Sequence, residues 1–143
     1  MIVKAKLLVG MLWILVCLVV SVNVFMLNVI GHELGHYVVA DYYELEPKIE
    51  FELGKISDVG FGFEGIPIAS TNFKDNGSES ELMVVALGGP FVNFILGLMF
   101  LIVFVFCKDS YVRELMIIAV LISFLSFGMN LLPFEGVDGG LIF

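Results

Sequence analysis

Three long apolar runs separated by polar intervals set the pattern of the chain. The first extends from Leu7 to Ile30 behind Lys4 and Lys6, more than the roughly 20 residues a helix needs to cross a bilayer. A signal peptide would have an apolar core of only about 7–15 residues and then a small-residue cleavage site. Here the apolar character resumes at residues 37–40, so a single helix over about 7–40 is expected. From residue 47 to 74 the period changes to two. Ile49, Phe51 and Leu53 alternate with Lys48, Glu50 and Glu52, and Val59, Phe61 and Phe63 alternate with Gly60, Gly62 and Glu64, predicting short strands in a β-rich insert. Asn76-Gly77 marks a turn, and Ser78 with Glu81 forms a capping box that opens a second apolar helix over about 82–107. Lys108, Asp109 and Arg113 make a polar turn before a third helix over about 114–132. Ser123, Ser126 and Asn130, spaced three and four apart, form a polar stripe that should face the bundle rather than lipid. Pro133 should end or kink that helix, and the glycines after it allow a tight turn presenting Asp138.

The expected fold class is therefore a mostly α, polytopic membrane protein: one domain of three transmembrane helices with a small β-strand insert between the first two. Composition agrees. At 59% hydrophobic residues and a mean hydropathy of +1.03, the chain is more apolar than a soluble domain, in which about half the residues are apolar and about a quarter charged. Its 143 residues suit a single domain. The formal net charge is -8, and residues 41–81 hold ten of the fifteen acids. No cluster of lysine and arginine exists to track phosphates, which argues against nucleic acid as a partner. Cys17 and Cys107 each lie inside an apolar run and outside any CxxC pair, so both read as packing residues.

Chemistry enters at His32-Glu33-Leu34-Gly35-His36, at the end of the first apolar run. On a helix, residues four apart share a face, so His32 and His36 can offer two imidazole nitrogens to one metal ion with Glu33 beside it. Topology adds to the motif. If the first helix ends there on one membrane face, the second begins on that face and leaves, and the third returns to it. His32, His36, Asn93, Asn130 and Asp138 then converge on one side. An asparagine at the depth of Asn93 is costly unless it faces protein or a cavity, which favours an inward, site-facing role.

The residues resemble the site-2 protease family of intramembrane zinc metalloproteases. Three elements carry the resemblance, in the family's order: His32-Glu33-Leu34-Gly35-His36, then Gly89-Pro90-x-x-Asn93, then Asn130-x-x-Pro133-x-x-x-x-Asp138-Gly139. It implies one zinc ion bound by His32, His36 and Asp138, Glu33 as catalytic base, and Asn130 assisting substrate. The amides of Asn130 and Asn93 are suited to pinning an unwound substrate strand or stabilising an oxyanion. The expected activity is a zinc endopeptidase cutting in or near a transmembrane segment of a membrane-anchored protein, in regulated intramembrane proteolysis. The alternative is a catalytically silent relative that binds metal or a membrane partner. An edge strand within residues 48–64 could receive the unwound substrate by β-augmentation. Members commonly continue into a further helix and some insert a PDZ domain, so a minimal or C-terminally truncated core is expected. Glu135 reads as an exposed acid at a helix end. Lys4, Lys6, Lys108 and Arg113 lie opposite the histidines, so the positive-inside rule would put the site outside the cytoplasm. The resemblance implies an active site nearer the cytosol, and that is the expectation adopted.

Overall fold

The computed structural model describes residues 2–50, 70–74, 76–133 and 138–142. In order these form α1 (Ile2–Tyr42), β1 (Lys48–Glu50), β2 (Ser70–Asn72), α2 (Glu79–Phe106), α3 (Ser110–Asn130) and the short α4 (Gly139–Ile142). Three helices are long and apolar enough to cross a membrane, and the small sheet lies between the first two in sequence. Expectations for Phe51, Leu53, Val59, Phe61, Phe63 and Glu135 fall outside the described residues, as does most of the segment offered as a substrate-binding edge.

α1 is one unbroken helix of 41 residues, about 60 Å long, which is twice the hydrocarbon thickness of a bilayer. It stops in a Schellman motif: Leu45 N–H donates to the Ala40 carbonyl at 3.0 Å and Glu44 N–H to that of Asp41 at 3.0 Å. The motif needs a left-handed residue after the helix, and Glu44 supplies it with φ 57°. Leu45 is then driven under the helix end, where it packs with Ala40 and Val85 beside Val39, Phe73 and Leu82. α2 opens with the expected capping box. Ser78 accepts from Glu81 N–H, while the Glu81 carboxylate accepts from Ser78 N–H at 2.7 Å. α3 begins at Ser110, ahead of the expected start, because Asp109 caps it by accepting from Val112 N–H at 3.0 Å. Arg113 and Glu114 thus sit in its first turns.

The helices pack where side chains are small. Gly35 of α1 and Gly88 of α2 meet backbone to backbone, and a Cβ on Gly88 would lie 2.6 Å from the Gly35 carbonyl oxygen. Gly97 likewise admits the Phe124 ring of α3, which also stacks with Phe94. Of the polar stripe on α3, Ser123 is buried and Ser126 and Asn130 are half-buried, facing the bundle. The outward faces are apolar, Leu7, Ile14, Val22, Phe91 and Leu125 among them, as lipid contact requires.

β1 and β2 form an antiparallel pair with Ile49 opposite Thr71, resting on the C-terminal end of α1. β2, Ser-Thr-Asn, has no apolar alternation. Its pairing and its docking on α1 make it a strand, and neither leaves a periodic signal.

At the far end of the bundle, Trp13 stacks edge-on with Tyr111 and donates to the Glu114 carboxylate at 3.1 Å. Aromatic and charged residues of this kind mark a membrane interface. The nineteen helical steps from Trp13 to His32 rise about 28 Å, close to the hydrocarbon thickness of about 30 Å. The histidine motif therefore lies near the opposite membrane edge, at the level where α3 ends.

Candidate metal centre

His32 and His36 are successive turns of one α1 face, both buried. Their Nε2 atoms stand 3.0 Å apart. Asp138 closes the triangle, with Oδ2 3.0 Å from His32 Nε2 and Oδ1 3.2 Å from His36 Nε2. It gets there because the chain turns back after α3: Gly139 is buried against the main chain of Leu131 and Leu132, where a side chain would overlap the Leu132 carbonyl. These three are the one group of three or more potential metal-ligating side chains among the described residues.

α2 supplies the other wall. A Cβ on Gly89 would overlap the His36 ring and lie 2.7 Å from His32 Cε1, so its bare backbone makes room for both rings. His36 Nδ1 faces the Val85 carbonyl at 2.7 Å, and a carbonyl only accepts. Nδ1 must carry the proton, which leaves the Nε2 lone pair turned toward Asp138. His32 Nδ1 faces the amide groups of Asn93 at 3.2 Å and Asn130 at 3.4 Å. Asn93 is buried, 1% exposed, and its Oδ1 has no hydrogen-bond partner among the described residues. A half-turn of that amide would bring Oδ1 to a protonated Nδ1 and free the His32 Nε2 lone pair as well.

Buried acceptors thus converge on one point. Asp138 Oδ2 is buried without a hydrogen-bond partner among the described residues although it is in contact with His32 Nε2. Burial would raise the Asp138 carboxyl, but the two facing imidazoles outweigh it as Nε2–H donors and hold it down at about 2, so it is ionised; a cation seated there takes the place of those protons and meets the Nε2 lone pairs. Two imidazole lone pairs and a carboxylate at 3.0–3.2 Å attract a cation. Tetrahedral zinc, with bonds of about 2.0–2.1 Å, holds its ligand atoms about 3.3 Å apart, so these residues fit it.

The sequence of peptidase family M50, the site-2 protease family, matches over residues 20–114. The chain belongs to peptidase family M50. No curated protein and no solved structure matches it. The M50 match includes the histidine motif and Asn93 but ends before Asn130 and Asp138. Those two reach the histidines through the return of the chain along and after α3. M50 members are intramembrane zinc metalloproteases, in keeping with an integral membrane protein of three spanning helices.

Glu33 is half-buried beside the two histidines. Its carboxylate Oε2 accepts from the Thr71 hydroxyl at 2.8 Å, and the same hydroxyl lies 3.0 Å from the Glu33 carbonyl oxygen. Thr71 and the Val85 carbonyl carry no sequence signal: one is a residue of a short polar strand, the other a main-chain atom. The Gly88-Gly89-Pro90 run does carry one, since adjacent glycines in a membrane helix mark a close approach.

Proposed function

We propose that the protein is a zinc endopeptidase that hydrolyses a peptide bond in or near a transmembrane segment of a membrane-anchored protein, releasing a regulatory fragment. The observation that carries this reading is the convergence of the His32 and His36 Nε2 atoms on the ionised Asp138. A bound zinc ion supplies Lewis acidity, polarising a carbonyl and bringing the pKa of water to about 7.

The chain's own residues do the rest. His32, His36 and Asp138 would hold the ion. Glu33 takes the proton of the attacking water as the new C–O bond forms, then delivers it to the departing amine nitrogen as the C–N bond breaks. Asn93, fully enclosed, holds His32 in the tautomer that binds metal through Nε2. Asn130, half-buried on the same imidazole, is the better placed of the two amides to engage substrate backbone as well. The site lies near a membrane edge, where an unwinding substrate helix and water can both reach it.

Purification in detergent without chelators, followed by zinc analysis and cleavage of a model single-span protein, tests the reading. About one zinc per chain is expected in wild type. Glu33→Gln keeps the metal and loses cleavage, and Asp138→Ala weakens metal binding. A zinc-free wild type overturns the proposal. Stoichiometric zinc without cleavage would favour the silent relative.

A further inference from the structure

We infer that Thr71 is a positioning residue for Glu33, so that the two-stranded sheet serves as the template that aims the catalytic base. This rests on the reading of Glu33 as the base of a zinc peptidase. A glutamate side chain has three rotatable bonds, and ordering it costs conformational freedom. A base that must point one lone pair at a water molecule needs something to hold it. The ligand geometry does not do so, because His32 and His36 are oriented from α2.

Thr71 Oγ1 lies 2.8 Å from Glu33 Oε2 and 3.0 Å from the Glu33 carbonyl oxygen. One hydroxyl proton cannot serve both fully. A charged acceptor takes the stronger and shorter bond, so the proton goes to the carboxylate. That pins Oε2 and leaves Oε1 as the atom that meets water. The hydroxyl itself is held from several sides. Thr71 is the middle residue of β2, paired with Ile49, and strand alternation puts Ser70 and Asn72 on the opposite face. Just beyond the strand, Lys74 N–H donates to the Leu45 carbonyl at 2.9 Å, and the Lys74 ammonium pairs with Glu46. The sheet is thus tied to the Schellman turn that ends the helix bearing Glu33.

A docking role alone would make the same contacts, so the test separates hydroxyl from shape. Thr71→Val keeps the volume and removes the donor; Thr71→Ser keeps the donor. With the detergent-purified enzyme and a model single-span substrate, Thr71→Val should lower kcat about 10- to 100-fold with KM little changed and zinc content intact. Thr71→Ser should recover most of the rate. Wild-type kcat in Thr71→Val, or equal losses in both variants, would overturn the proposal. Thermal unfolding of the metal-free protein reads the contact without chemistry. Thr71→Val should lower the midpoint more in the Glu33 protein than in a Glu33→Ala background, and equal drops would put the hydroxyl on the main-chain carbonyl and overturn it. Zinc-free wild type, or full cleavage by Glu33→Gln, defeats the peptidase reading; a Thr71→Val result with both of those in order judges Thr71 alone.

Discussion

At the scale of single residues, the candidate metal centre depends as much on what holds the imidazoles as on the imidazoles themselves. His36 is oriented by a main-chain carbonyl that no substitution of Val85 removes, whereas His32 relies on side-chain amides. His32 is therefore the proposed ligand whose support can be tested by mutation. Asn93→Ala should lower zinc affinity about 10- to 100-fold, as loss of a partner to a ligating histidine typically does. Asn93→Asp, which still accepts from Nδ1–H, should retain most of it. Competition with a chromogenic chelator measures both, and unchanged affinity in Asn93→Ala would remove Asn93 from this role.

Among the secondary-structure elements, the end of α1 stores strain that its packing holds in place. Glu44 takes a left-handed conformation that costs a side-chain-bearing residue about 1–2 kcal/mol. It persists because the Schellman bonds and the burial of Leu45 require that turn. Glu44→Gly relieves the strain at some cost in unfolded-chain entropy, so a net gain of about 0.5–1 kcal/mol is expected. Thermal unfolding in detergent should show a midpoint higher by about 2–4 °C. A lowered midpoint would mean that the Glu44 side chain itself stabilises the turn. The turn matters beyond stability, since Leu45 and Glu46 anchor the strand that carries Thr71 to Glu33.

For the molecule as a whole, the membrane sets the frame, and the two ends of the bundle differ. The metal centre lies at one end; Trp13, Tyr111, Glu114 and Cys107 lie at the other. Cys107 caps the end of α2 and is half-exposed, while Cys17 lies within α1. With the active site nearer the cytoplasm, a membrane-impermeant thiol reagent should label Cys107 in intact cells. Cys17 is the residue to replace with serine as control. Labelling of Cys107 only after the cells are opened would reverse the orientation and side with the positive-inside rule.

Periodicity and composition were enough to read three spanning helices, the capping box at Ser78 and a strand at residues 48–50, because each depends on local chain properties: apolar length, short-range hydrogen bonding and alternation. The spacing of His32, Glu33 and His36 was legible for the same reason, since one helix face is set by the helical repeat. Thr71 on Glu33, Asn93 and Val85 on the imidazoles, and Asp138 in contact with both histidines are of another kind; of these, the alternation of three spanning helices foretold only that Asn93 and Asp138 gather on the histidines' side, not which atoms meet. Each pairs atoms from elements 38 to 106 residues apart. Such pairs exist only once Gly35 and Gly88 let α1 and α2 touch and α3 brings the chain back. Local sequence carries the candidate ligands, and close helix packing brings them together.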